Sequence, residues 1–251
     1  MSYSIDVSEQ AGVRYLHFGS PWIQGAMRIA RPHQLELAYT REMMLGLLLR
    51  GWSRWPRRAL LIGLGAASLL RFLHHHLPHC VLDVVEIDAR VVACARQFFR
   101  LPPEDERFTL HLADGAEFIA REGVAYDFIA VDGFDHKARA GALDSPDFYR
   151  AARARLSLEG VLAVNLLGSD AAKKRSTRWL GEVFGQRLFT FASADEGNVI
   201  ALGAAGNAIV CPLPELHERA RALKQETGLD LAPSLARLLY GHSFPGEQFT
   251  C

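Results

Sequence analysis

From residue 59 to residue 184 the chain alternates short apolar runs with longer stretches of helical pattern, and this constrains its folding more than any other feature. The runs lie at 59–62, 81–85, 108–112, 128–131 and 161–166; the helical stretches lie at 66–76, 89–99, 116–121, 146–156 and 171–184. Strands separated by helices dictate parallel βαβ units with right-handed crossovers and helices on both faces of one sheet. Residues 187–193 and 199–202, split by a short polar turn, predict an antiparallel hairpin that closes the sheet. Upstream, Val13-Arg14-Tyr15-Leu16-His17-Phe18 roughly alternates at period two, and Gly19, Pro21 and Gly25 punctuate the stretch after it. The fold class is therefore α/β: a doubly wound, mostly parallel sheet with a closing hairpin. Residues 1–34 form a small β-rich segment, and residues 35–251 form the main domain. Leu35, Tyr39, Met43 and Leu47 share one face of a helix expected over 35–50, and the tail over 214–240 predicts two helices split near Gly228 and Pro233.

In such a sheet, ligands sit at the carboxyl ends of the strands near the reversal of strand order, so the residues ending each strand matter most. The first strand ends in Gly63-Leu64-Gly65-Ala66-Ala67-Ser68, a turn that brings backbone and a helix N-terminus close to a ligand. By itself it is equally a tight strand-to-helix turn. The second strand ends in Glu86-Ile87-Asp88, placing acids about 20 residues beyond the glycine turn, where a carboxylate accepts from ribose hydroxyls. Asp88 also suits the N-cap of the next helix better than Glu86 does. The third strand ends in Asp114-Gly115, where Asp114 either caps a helix or accepts from an adenine amine, and Gly115 leaves room for a flat ring. The fourth is followed by Asp132-Gly133-Phe134-Asp135-His136, and two acids just past a buried strand need a cationic partner or a task. A run of acids behind a glycine turn opposes a pyrophosphate and favours an adenosine bearing a sulfonium.

These residues resemble the polyamine aminopropyltransferases, the spermidine synthase family, and more broadly the methyltransferases that use S-adenosylmethionine. The resemblance covers residues 35–168 and rests on Ile62-Gly63-Leu64-Gly65, Val85-Glu86-Ile87-Asp88, Ala113-Asp114-Gly115 and the segment Asp127 to Asp135. Leu143-Asp144-Ser145-Pro146-Asp147-Phe148-Tyr149 and Glu36-Leu37-Ala38-Tyr39 extend it. It implies a Rossmann-like core behind a small N-terminal β-domain, assembled as a homodimer or larger homo-oligomer. The co-substrate would be decarboxylated S-adenosylmethionine or S-adenosylmethionine, with no metal, and the partner a small-molecule amine. Gly63, Gly65, Glu86, Asp88, Asp114 and Gly115 would bind the nucleoside, with Glu86 on the ribose and Asp114 on the adenine side. Asp132 would orient and deprotonate the attacking amine, Asp135 would bind its distal ammonium, and Tyr39 would line the amine pocket.

Some positions depart from the family. Its synthases carry an acid in the glycine turn that contacts the aminopropyl amine, where this chain has Ala66, and a glutamine after the pocket tyrosine, where it has Thr40. Ala66 removes a cation anchor and also a charge that would repel the carboxylate of intact S-adenosylmethionine. The loop with His136, Lys137 and Arg139 is basic for a polyamine site. Three functions follow in order: alkylation of a small amine by an adenosyl sulfonium, small-molecule methylation, and nucleoside binding without catalysis.

The remaining features carry less. The 28 basic and 28 acidic side chains cancel, which removes a global electrostatic argument for nucleic-acid binding. Trp52, Arg54, Trp55, Arg57 and Arg58 fit a packed Trp pair beside a basic turn better than an RNA contact. No apolar run approaches the ~20 residues of a membrane span. No signal peptide is recognised, and Cys80, Cys94, Cys211 and Cys251 form no Cys-x-x-Cys pair, so a reduced, cytoplasmic setting is expected. His74-His75-His76 and His79 invite a metal, but no acid neighbours them in sequence and consecutive helical residues diverge. His136 is a candidate second base, and Lys173-Lys174-Arg175 reads as a solvated helix face.

Overall fold

The computed structural model describes residues 3–50, 54–195, 197–206, 208–242, 244, 246 and 248–250. Three antiparallel strands, β1 (Ile5–Gln10), β2 (Val13–Phe18) and β3 (Ile23–Arg28), form the expected N-terminal sheet. The main sheet contains β4 (Arg58–Ile62), β5 (Val81–Glu86), β6 (Phe108–Leu112), β7 (Tyr126–Val131), β8 (Leu156–Leu166), β9 (Leu188–Ala192) and β10 (Val199–Ala204). Its order is β6-β5-β4-β7-β8-β10-β9, with β4 to β8 parallel and the β9–β10 hairpin antiparallel against β8. Strand order reverses between β4 and β7, so the ligand crevice of a doubly wound sheet opens beyond Ile62 and Val131.

Side-chain alternation along the strands divides the core in two. Ala59, Leu61, Leu82, Val84, Phe128 and Ala130 face one side, and Leu60, Ile62, Val85, Ile129 and Val131 face the other. The first side is covered by α3 (Ser68–His76), α4 (Ala89–Phe98), α8 (Leu213–Thr227) and α9 (Ala232–Tyr240). The second is covered by α5 (Gly115–Ala120), α6 (Pro146–Ala154) and α7 (Asp170–Phe184). A sheet buried on both faces explains why its strands are continuous apolar runs and its hydrophilic residues collect at strand ends.

The helix expected over 35–50 is two short ones, α1 (Ala38–Met43) and α2 (Gly46–Arg50). The break at Met44–Leu45 is closed by i→i+3 bonds to Arg41 and Glu42 carbonyls. It lets Gly46 lie flat against β7, where an added Cβ would stand 3.0 Å from the Phe128 ring. A further two-stranded sheet, β11 (Val210–Pro212) with β12 (Gln248–Thr250), has no alternation long enough to announce it. Trp55 is buried, stacks edge-on against Phe128 and donates to the Glu159 carbonyl, while its sequence neighbour Trp52 lies outside the described residues. Cys80, Cys94 and Cys211 are buried free thiols, and Cys251 lies outside the described residues. No helix among the described residues is long and apolar enough to cross a membrane.

Candidate active site

A cavity of about 860 Å³ opens at the strand-order reversal, within the range of small-ligand pockets. Its wall gathers all nine residues singled out from the sequence: Tyr39, Gly63, Gly65, Glu86, Asp88, Asp114, Gly115, Asp132 and Asp135. Five carboxylates and one guanidinium, Arg139, are the charged groups lining it among the described residues.

The glycine turn is shaped by close approach. Gly63 has φ +97°, and an added Cβ would stand 2.2 Å from the Asp132 carbonyl oxygen, so no other residue fits. The backbone continues the ladders of β4 beyond its end: Gly63 N–H donates to Val85 O and Asp132 N–H to Ile62 O, each at 2.9 Å. Beneath the turn sits Arg71 of α3, 2 % exposed, whose guanidinium donates to the carbonyls of Ala66, Phe99 and Pro32. With no carboxylate against it, burial pushes its pKa down to about 9. Sequence reading missed this tether, because an arginine on an amphipathic helix ordinarily points to water. On the other side the N-terminal sheet closes over the turn, with Gly25 packed on Ala66 and Ser68 donating to Ala26 O at 2.9 Å.

Backbone amides at the strand ends hold all three acids on the β5–β6 side, with side chains added at Asp88. Glu86 is buried; its Oε2 accepts from Leu64 N–H and its Oε1 from Asp88 N–H, both at 2.9 Å. Burial outweighs those bonds and raises its pKa above the usual carboxylate value. Asp88 caps α4 through Arg90 N–H, pairs with the Arg90 guanidinium and accepts from the Tyr3 hydroxyl at 2.7 Å. Led by the Arg90 side-chain bond, these partners bring it down to about 2. Asp114 caps α5, its Oδ1 accepting from the amides of Ala116 and Glu117 at 2.7 and 3.1 Å. Asp88 and Asp114 are thus helix caps as well as cavity-wall residues.

The β7 side is built differently. Asp132 accepts from Asn165 Nδ2 at 2.9 Å and faces the Tyr39 hydroxyl, and desolvation raises its pKa against both of these neighbours. Asn165 in turn accepts from Asn198 Nδ2 at 2.7 Å. The phenol of Tyr39, shut away from water and facing Asp132, is pushed well above its ordinary value. Tyr39 N–H donates to Asp195 Oδ2 at 2.8 Å, and Ala194 N–H donates to Glu42 Oε1 at 3.0 Å, so the β9–β10 turn braces α1. Asn165, Asn198 and Asp195 were not identified from the sequence. They stand 33 to 66 positions from Asp132, on segments whose approach only the sheet order reveals.

Asp135 lines the cavity, but its Oδ2 accepts from the Arg139 guanidinium at 2.9 and 2.7 Å and its Oδ1 from Lys137 and Arg139 amides. The partner that this acid required is thus supplied by its own loop. His136 stacks on Tyr3 at 4.7 Å outside the cavity wall. Asp144 pairs with Tyr149 and Arg175, and Asp170 is a solvent-facing helix acid; neither lines the cavity. Asp127 accepts from the Arg57 and Arg58 amides and Ser157, at the opposite end of β7. Lys173 is less solvated than its run suggests, since its ammonium donates to Gly197 O at 3.1 Å. The histidine run does find an acid, Asp105, brought to 3.0 Å from His74, while His75 stacks on His33. No group of three metal-ligating side chains occurs among the described residues.

Residues 37–167 match the model of the spermine/spermidine synthase domain. A polyamine aminopropyltransferase of Chromobacterium violaceum is 35% identical over 93% of this chain and 88% of its own. Human methyltransferase-like protein 13, solved in complex with SAH, superposes with a TM-score of 0.69 at 28% identity over 76% of this chain and 92% of that one. A spermidine synthase bound to the transition-state analogue AdoDATO superposes with a TM-score of 0.68 at 21% identity, over 94% of this chain and 85% of that one.

Proposed function

Because this chain belongs to the spermine/spermidine synthase family, we propose that it transfers the aminopropyl group of decarboxylated S-adenosylmethionine to a small primary amine in the carboxylate-lined cavity. The observation that carries the reading is the charge of that cavity. Among the described residues five carboxylates line it, and the one guanidinium is already taken by Asp135, so it suits two cations, a sulfonium and an alkylammonium.

On this reading Gly63 and Gly65 let the nucleoside approach the turn, Glu86 accepts from the ribose, Asp114 and Gly115 take the adenine side, and Asp88 supports that edge. Tyr39 and Asp135 line the amine end. The acceptor arrives as an ammonium with a pKa near ~10.4 and must lose a proton before it can attack. Asp132, whose basicity burial raises, orients the amine and takes that proton. The nitrogen lone pair forms a bond to the aminopropyl carbon as the carbon–sulfur bond breaks. Its electron pair stays on sulfur, so the sulfonium leaves as a neutral thioether. Alignment of nucleophile, carbon and leaving sulfur is the chief demand, and positioning of this kind is worth on the order of 7–11 kcal/mol.

A second reading is methyl transfer from intact S-adenosylmethionine to a small molecule. It is favoured by Ala66, which puts no charge in the glycine turn. Calorimetry with the two sulfonium compounds separates them. Tighter binding of the decarboxylated compound is the expected result; tighter binding of intact S-adenosylmethionine replaces aminopropyl by methyl transfer, and binding of neither ends both readings.

A further inference from the structure

Three strands bring three amide and carboxylate side chains into a row. β7 and β8 run parallel with Val131 beside Val164, so Asp132 and Asn165 emerge next to each other at the carboxyl edge. β10 runs the other way with Ile200 beside Asn165, which puts Asn198, just before β10, at the same edge. The antiparallel hairpin therefore does more than close the sheet. It delivers a side chain to the crevice from a strand beginning there.

The row has a direction. Asn165 is 5 % exposed, and its two ends are chemically distinct: the oxygen only accepts and the nitrogen only donates. Asn198 donates Nδ2–H to the Asn165 oxygen at 2.7 Å, so the Asn165 nitrogen must point the other way, at Asp132 Oδ1 2.9 Å off. Turned over, Asn165 would set its oxygen against the carboxylate, two acceptors in contact, which only a protonated Asp132 could satisfy. We propose that Asn165, its amide orientation locked by Asn198, is a positioning residue that holds the Asp132 carboxylate ionised and aligned for taking a proton.

The other groups around Asp132 leave this role to the amide. Tyr39 of α1 is the titratable side chain facing Asp132, and β4 offers it only the backbone of Ile62 and Gly63. Asp195 in the β9–β10 turn engages Tyr39 N–H, and Glu42 engages Ala194 and Arg237. No lysine, arginine or histidine bonds to Asp132 among the described residues, so neutral donors alone oppose its desolvation.

The proposal rests on the reading of Asp132 as the base, and its test is independent of turnover. The carboxyl carbon of Asp132, labelled with ¹³C and assigned by its absence from Asp132→Asn, is titrated by NMR in the full-length protein. Asn165→Ala is expected to move its midpoint up by about one pH unit, the scale of one hydrogen bond to a charged group. Asn198→Ala frees the amide to turn and moves the midpoint in the same direction by less. An unchanged midpoint in either variant overturns the proposal, and Asn198→Ala, at a half-buried site, decides alone should Asn165→Ala not fold. Turnover of Asp132→Asn with decarboxylated S-adenosylmethionine and putrescine examines the base assignment itself. Wild-type turnover there would remove that assignment while leaving the titration result standing.

Discussion

On the β5–β6 side of the cavity the carboxylates lean on backbone amides at the strand ends, Glu86 on Leu64 of the glycine turn and on Asp88, Asp114 on Ala116 and Glu117. On the β7 side Asp132 leans on side chains brought from α1, β8 and, through Asn165, the start of β10. Backbone amides in a turn are fixed once the turn forms, so the first arrangement suits a task in which charge stays still, such as holding a nucleoside. Side-chain donors exchange partners more readily, and the second arrangement suits a carboxylate that must gain and lose a proton.

The largest expected effect tests that division directly. Asp132→Asn should lower turnover by about 10²- to 10⁴-fold, the usual worth of a positioned base, while decarboxylated S-adenosylmethionine binds within a few-fold of wild type. Single-turnover kinetics and calorimetry on the same variant check both halves of the statement. A large loss of nucleoside affinity would mean that the two sides do not work separately.

Glu86→Gln should do the reverse. An ionised acceptor facing ribose hydroxyls contributes about 1.5–3 kcal/mol, so nucleoside affinity should fall roughly 10- to 150-fold with a smaller change in turnover at saturation. The raised pKa of Glu86 fixes the sign of two pH effects. The folded state binds this proton more tightly than the unfolded chain does, so its contribution to stability declines as pH rises from the ordinary glutamate value through the raised one. On the proposed reading nucleoside binding draws on the ionised form and should strengthen over the same interval. Glutamine removes the buried charge and keeps an oxygen for the Leu64 amide, but it turns its NH2 toward the Asp88 N–H, which loses its acceptor. The two effects oppose, so thermal unfolding of Glu86→Gln above that interval should stay within about 5 °C of wild type. A larger drop in melting temperature there would show that the carboxylate is structural rather than held in waiting.

The same division explains how much of the molecule is readable from its sequence. The strand ends announce themselves because a sheet buried on both faces forces polar residues to its edges, and Asp88 and Asp114 sit beside the turns that they cap, whereas the Leu64 amide that holds Glu86 lies 22 positions back. Even the double role of Asp88 and Asp114 as caps follows from their place before a helix. Asn165 lies inside the apolar run Val161–Leu166 and looks like an ordinary strand residue until β10 is known to lie antiparallel beside it. Asp195 sits in a polar turn like many others, and nothing local ties it to Tyr39. The partner of Asp135 is four residues away and still escapes a local reading, because the loop's basic residues look like a departure from the family rather than neighbours of an acid. Local hydrogen bonds are legible and sheet order is partly so; side chains meeting across strands of opposite direction are not.

Asp195 offers the smallest effect and the sharpest test of how the two sides differ. The helix α1 begins after Leu37 with no side-chain cap of its own, and its Tyr39 amide is instead satisfied by a carboxylate 156 residues onward. Asp195 thus performs from the far end of the chain what a preceding Asp or Ser usually does for a helix start. Losing such a cap costs about 0.5–2 kcal/mol. Asp195→Ala should accordingly loosen the start of α1 and let the Tyr39 ring drift from Asp132, raising the KM for the amine a few-fold to roughly 30-fold. The nucleoside, which on the proposed reading relies on the ends of β4, β5 and β6 rather than on Asp195, should bind as in wild type. Should nucleoside affinity fall in step with the amine KM, the β9–β10 turn would be supporting the whole cavity, and the separation between its two sides would be one of hydrogen-bond style alone.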